Sequence, residues 1–136
     1  MPIHIPKVRE VLQCEFDHRT SYSPPEICKT RPVAIVSCSP SRPHLAIVVP
    51  LSTTPPDPPQ GWHHKLSRAS MWDRKHRWAK CDLIQPVSYD RLSAWRLGGR
   101  APDGKRRYLK DFLISDEDFQ AIQACILRAL NITRQK

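Results

Sequence analysis

The residues best suited to chemistry stand at the ends of two short β-branched runs. Arg31 opens the first, Thr30-Arg31-Pro32-Val33-Ala34-Ile35-Val36-Ser37, and Ser52, Thr53 and Thr54 close the second, Ala46-Ile47-Val48-Val49-Pro50-Leu51-Ser52-Thr53-Thr54. A turn at Ser39-Pro40-Ser41-Arg42-Pro43 fits a tight antiparallel connection between them. That pairing would bring the guanidinium and the hydroxyls to one mouth of a sheet. All of these groups donate hydrogen bonds, and a guanidinium fork can bridge two phosphate oxygens, so the arrangement is a natural seat for a phosphate. Further on, His63 and His64 bring an imidazole near the Ser52 end, where it could pass a proton; His64 is taken as the supporting group, the other reading being an exposed or merely hydrogen-bonded ring. Lys80 and Asp82 lie two residues apart, the spacing that puts both on one face of a strand.

The surroundings are strongly basic. The chain of 136 residues carries a formal net charge of +9, which favours a polyanion or an acidic protein as partner and disfavours a basic one. Residues 68 to 78 interleave cations and rings: Arg68, Trp72, Arg74, Lys75, His76, Arg77 and Trp78. Rings stack on unpaired bases while cations follow phosphates, so Trp72, Arg74, Lys75 and Arg77 are expected to hold single-stranded nucleic acid, unless one or both tryptophans belong to the core. Residues 97 to 109 predict a hairpin with its tip at Ala101-Pro102-Asp103-Gly104, made basic by Arg100, Lys105, Arg106 and Arg107.

Five cysteines, Cys14, Cys28, Cys38, Cys81 and Cys125, form no Cys-x-x-Cys, and no closely spaced His pair completes a zinc site. They read as reduced thiols, with Cys14 and Cys38 as small buried side chains inside apolar runs; no metal and no cofactor is expected. No signal peptide is recognisable and no apolar run approaches the roughly 20 residues of a membrane span, so a cytoplasmic location is expected, with no membrane partner.

These groups must be positioned by a single small domain, since 136 residues with 40% hydrophobic composition support one modest core. Residues 1 to 8, with Pro2 and Pro6, are expected to form a loose arm. Strands are expected at residues 10 to 16, 61 to 67 and 77 to 84 besides the two runs above, and at 17 to 29 a loop stiffened by Pro24-Pro25 that presents Glu26 near Arg31. Strand alternation sets Trp62, His64 and Leu66 on one face of its segment, with His63 and Lys65 on the other. The prolines at 55, 56, 58 and 59 must make a surface turn, and residues 86 to 95 read as strand or short 3₁₀ turn. Ser115 caps a final helix whose first turn holds Asp116, Glu117 and Asp118 and whose apolar stripe is Phe119, Ile122, Ile126, Leu127 and Leu130. Several short strands followed by one helix give a β-rich α+β fold.

In its strand ends the chain resembles the MazF/PemK family of toxins of type II toxin-antitoxin systems, whose members carry an Arg-Pro opening a hydrophobic strand and a later strand ending in Pro-Leu-Thr/Ser. Here these are Arg31-Pro32 and Pro50-Leu51-Ser52. Glu26 stands five residues before Arg31, and Lys80-Cys81-Asp82 matches a later Arg-Cys-Asp segment. The resemblance runs from about residue 9 to 130, interrupted by extra basic residues at 67 to 79 and 97 to 107. It implies a small SH3-like antiparallel β-barrel with a C-terminal helix, and a homodimer with an RNA groove across its interface. It also implies a sequence-specific, metal-independent endoribonuclease that cuts single-stranded mRNA to a 2′,3′-cyclic phosphate and a 5′-hydroxyl, neutralised by a cognate antitoxin. Arg31 would then stabilise charge on the phosphate. Ser52 takes the place of a catalytic Thr with Thr53 beside it, Asp82 that of the base, and Lys80 that of an Arg proposed as the acid, with Glu26 and His64 in support; Arg106 and Arg107 would join Trp72, Arg74, Lys75 and Arg77 in binding RNA. Ser for Thr keeps the hydroxyl but loses the methyl that fixes its rotamer, and Lys for Arg removes the fork. The alternative is a non-catalytic nucleic-acid- or protein-binding module on the same barrel. Poisoning of a topoisomerase, as in a related branch of the fold, is held in reserve, because residues 131 to 136 lack an aromatic anchor.

Overall fold

The computed structural model describes residues 5 to 16, 30 to 39 and 41 to 132. Among the described residues nine strands precede one helix: β1 (Val11–Glu15), β2 (Thr30–Cys38), β3 (Leu45–Ser52), β4 (His63–Lys65), β5 (Trp78–Lys80), β6 (Gln85–Ser88), β7 (Leu92–Ser93), β8 (Arg96–Arg100), β9 (Arg106–Tyr108) and α1 (Asp116–Ala129). Seven strands form one antiparallel sheet in the order β4-β5-β3-β2-β1-β7, with β6 also on β3. This is the β-rich architecture with a C-terminal helix that the sequence led us to expect. Among the described residues the sheet curls without a hydrogen-bonded seam between β4 and β7.

Strand alternation gives the sheet two apolar faces. One face carries Val11, Ala34, Val49, Leu51 and Ala79, covered by Ile122, Cys125 and Ile126 of α1. The other carries Leu12, Cys14, Val33, Ile35, Ala46 and Val48, closed by Phe16, Val87 and Leu92. Both faces are buried, so the central strands read as continuous apolar runs in the sequence.

A single edge of β3 takes two partners. Its N-terminal half pairs with β6, from Leu45↔Ser88 to Val48↔Gln85, and its C-terminal end with β5, at Leu51↔Ala79 and Ser52↔Trp78. The registers differ by three residues, which are looped out as the 3₁₀ turn Cys81–Leu83. The strand expected at 77 to 84 therefore stops at Lys80, and Asp82 is carried on the turn. The segment expected as a strand at 61 to 67 shortens to β4, while Leu66 N still donates to Arg77 O at 2.9 Å.

The basic hairpin forms as expected, with β8 and β9 in a sheet of their own and Gly104 at φ 83° in the turn, a region that suits glycine. Ser115 caps α1 by accepting from Asp118 N at 3.1 Å. In the expected stripe Ile122 and Ile126 are buried, but Leu130 is 54% exposed and Cys125 takes the inward place between the two isoleucines. Part of the expected loose arm is tethered: Pro6 is buried and its carbonyl accepts from Cys38 Sγ at 3.5 Å, while Arg9 N donates to Ile35 O at 2.8 Å.

Candidate active site

Two strand ends come first. β2 and β3 pair in register from Ala34↔Val49 to Val33↔Pro50, and the same register carried two residues on sets Arg31 level with Ser52. Directly opposed residues of an antiparallel pair point to one face. Arg31 also pairs with Cys14 of β1, which puts it on the sheet face that carries Cys14 and Val33. The cation is half-buried and, among the described residues, its guanidinium has no hydrogen-bond or ion-pair partner. Ser52 Oγ accepts from Thr54 N at 3.1 Å, which leaves the hydroxyl proton available to donate. Thr53 and Thr54 follow on the exposed turn.

The same face continues across two more strands. Ser52 pairs with Trp78, which pairs with Lys65, and two residues along β5 Lys80 pairs with His63. Trp78, Lys80, Lys65 and His63 therefore share the side on which Ser52 lies. The Lys65 ammonium stands 5.5 Å from the Trp78 ring centroid, a cation-π distance. The looped-out turn brings Asp82 to the edge of the group, with Oδ1 3.8 Å from His63 Nε2. Gln60 N donates to His63 Nδ1 at 3.1 Å, so a neutral ring carries its proton on Nε2, the nitrogen facing Asp82. The face thus assembles three cations, a hydroxyl, an imidazole, a carboxylate and an indole around one surface.

His64 is a correction to the sequence reading. Alternation turns it to the opposite face with Ala79, where Nε2 meets Asp118 Oδ1 at 2.8 Å. Asp118 is itself only 3% exposed and accepts from Ser67 N, Ser67 Oγ, Ser115 Oγ and Ser70 Oγ. Burial works against its ionisation, but the hydrogen bonds from Ser67, Ser70, His64 and Ser115 outweigh it and hold the carboxyl well below the usual carboxylate range. His64 therefore belongs to a buried polar knot that joins β4, the following loop and the start of α1. It is not in the group around Ser52.

Trp72 and Arg77 need correcting too. The Trp72 ring packs edge-on against Trp95 and Phe112, with centroids 6.4 and 5.8 Å away, and lies against the core beneath α1. Arg77 is buried, with its guanidinium 4.0 Å from the Trp72 ring and both terminal nitrogens on Asp73, at 2.6 and 2.8 Å. Arg77 is thus closed to a phosphate, and Trp72 is half-buried with its ring committed to its neighbours. Arg74, Lys75, Arg106 and Arg107 are exposed, while Glu26 and the loop at 17 to 29 lie outside the described residues. Sequence reasoning weighed His63 beside His64 but took His64, and it left Lys65 and Trp78 out of the site. The signal for Trp78 was its spacing of two from Lys80; for His63 and Lys65 only the β4-β5 register decides which side of the alternation faces the site.

Known proteins match both the sequence and the shape. The family model of PemK-like, MazF-like toxins of type II toxin-antitoxin systems matches residues 7–130. The chain belongs to that family. It is 32% identical over 146 residues to an uncharacterized protein, YifN, of Escherichia coli (strain K12), covering 93% of this chain and 92% of that one. It is 30% identical over 102 residues to an uncharacterized protein of Haemophilus influenzae Rd, covering 65% and 70%. Its fold is similar to that of a mycobacterial endoribonuclease solved with its cognate antitoxin, with a TM-score of 0.63 at 16% identity over 96% of this chain and 100% of that one. The Mycobacterium tuberculosis toxin MazF-mt6 gives a TM-score of 0.59 at 13% identity, over 92% and 100%.

Proposed function

We propose that this protein is an endoribonuclease toxin that cuts single-stranded RNA at the face around Ser52, without a metal ion, and is neutralised by a cognate antitoxin. The observation that carries the reading is the β2–β3 pairing that ends at Val33↔Pro50: its register, carried two residues on, sets Arg31 level with Ser52, on the face that Lys80 shares. Membership of the toxin family and the likeness to an endoribonuclease solved with its antitoxin support it.

Cleavage begins when a base takes the proton of a ribose 2′-hydroxyl. The freed oxygen attacks the adjacent phosphorus, the bond to the 5′-oxygen breaks, and that oxygen takes up a proton, leaving a 2′,3′-cyclic phosphate and a 5′-hydroxyl. Arg31 holds the non-bridging oxygens, because a guanidinium stays charged and can bridge two of them as negative charge grows. Ser52 donates to the same phosphate. Asp82 is the base, and Lys80 supplies the proton to the departing oxygen. His63 directs Nε2–H at Asp82 and so positions it; at 3.8 Å the pair is looser than a hydrogen bond and would tighten around substrate.

Among the described residues no group of three or more His, Cys, Asp and Glu side chains is placed to hold a metal ion. A homodimer would extend the face into a longer RNA groove, and the net charge of +9 suits both RNA and an acidic antitoxin segment. The test is cleavage of a single-stranded RNA in excess EDTA with analysis of the product ends. A strict requirement for added magnesium would refute the reading.

A further inference from the structure

Beside the catalytic face lies a basic groove that the cleavage chemistry does not use. It is about 570 Å³ in volume and is lined by Lys65, Leu66, Arg68, Met71, Arg74 and His76. That volume is within the range of sites that hold small organic ligands. Its rim is cationic and, among the described residues, no carboxylate lines it, while the half-buried Met71 gives it an apolar side and the buried Leu66 closes its floor. The nearest acid in sequence, Asp73, is already committed: its oxygens take Arg77 Nη1 and Nη2, and Oδ1 also accepts from Lys75 N at 3.2 Å.

That commitment shapes the groove. Arg77 is held by Asp73 on one side and by the Trp72 ring on the other, so the ends of residues 72 to 77 are pinned to the core. Arg74 between them adopts φ 64°, a left-handed backbone that a residue with a Cβ rarely takes, and is exposed. A fixed loop therefore presents Arg74, in that conformation, to the cavity that Arg68 also lines. The groove is continuous with the cleavage face through Lys65, which stands beside Trp78, the strand partner of Ser52. Two strand spacings, roughly 10 Å, separate Lys65 from Ser52.

We propose that this groove is a subsite for a nucleotide flanking the cut, its phosphate held by Arg68, Arg74 and Lys65 and its base laid on Met71. The inference rests on the RNA-cleavage reading and adds to it the path the strand takes away from Ser52. Segment 67 to 79 then sets how long a substrate must be.

The experiment measures fluorescence anisotropy of 2′-O-methyl oligonucleotides, which cannot be cut, at several lengths and salt concentrations, on wild type and an Arg68→Ser/Arg74→Ser variant. Both side chains are exposed, and circular dichroism checks the fold. For wild type, affinity is expected to step up once the strand is long enough to reach the groove. The double variant loses that step, about tenfold, and its dependence of log affinity on log salt flattens by about 1.4 for two lost phosphate contacts. An unchanged step and slope would overturn the proposal, as would a variant that weakens antitoxin binding while leaving RNA binding intact. Failure of natural RNA to be cut, with the length step present, would instead remove the cleavage reading and leave the groove standing.

Discussion

Asp82 and His63 face each other across a turn and a strand, Oδ1 to Nε2 at 3.8 Å, with the Gln60 amide fixing the far side of the imidazole at 3.1 Å. A carboxylate on a looped-out turn has few other constraints, and Asp82 is 44% exposed, so His63 is the group that sets its direction. His63→Ala is expected to lower single-turnover cleavage by up to about 10²-fold through misplacement of the base, with RNA affinity little changed. Asp82→Asn, which keeps the shape and removes the basicity, should cost about 10²- to 10⁴-fold. Equal rates for wild type and both variants would remove this pair from the mechanism.

His64 supplies the internal control. Its Nε2 bonds the buried Asp118 on the other side of the sheet, so His64→Ala should destabilise the fold by about 1–3 kcal/mol while the folded protein cuts at the normal rate. Urea denaturation beside an activity assay separates the two effects. A large loss of rate without loss of stability would return His64 to the site.

Arg31→Ala should reduce cleavage by about 10²- to 10³-fold, the usual loss for one preorganised donor to a developing oxyanion. Ser52→Ala should also be severe. Ser52→Thr should preserve or raise the rate, because a β-branched side chain confines χ1 and holds the hydroxyl in place. RNA affinity should fall only modestly in all three, since phosphate contacts by lysines and arginines elsewhere supply most of it. A wild type that binds RNA without cutting it would transfer the account to a binding module.

The pH dependence of stability follows from Asp118. Hydrogen bonds hold its carboxyl below the ordinary value of about 3.9, against the opposing effect of burial. A depressed carboxylate contributes stability that is fully present above the unfolded value and is lost as pH falls through the folded one. Thermal unfolding of wild type should therefore weaken below about pH 4, and Asp118→Asn should show less of that acid loss, from a lower starting stability. Identical acid profiles would mean that other carboxylates govern it.

Strand ends were the most legible part of this chain. Arg31 and Ser52 could be placed from the β-branched runs alone, because both runs are apolar on each face and end abruptly in polar groups. The helix and its Ser115 cap were equally plain, since the signal is local. What the sequence concealed depends on register. Whether His63 or His64 faces Ser52 is fixed by pairing with β5, and the three-residue excursion at Cys81–Leu83 leaves no mark in the alternation of Lys80 and Asp82. Trp72 and Arg77 look like nucleic-acid contacts in sequence, yet the Asp73 partner and the rings of Trp95 and Phe112 turn them inward. A basic, aromatic segment can thus be half scaffold and half surface.

The central claim is that side chains on the Ser52 face cut RNA unaided. The most direct measurement is incubation of the purified protein with a single-stranded RNA in excess EDTA, followed by end analysis of the fragments, with Arg31→Ala in parallel. The account predicts discrete fragments with a 2′,3′-cyclic phosphate and a 5′-hydroxyl from wild type, and almost none from Arg31→Ala. Intact RNA in EDTA with cleavage only on addition of magnesium, or equal cutting by Arg31→Ala, would contradict it.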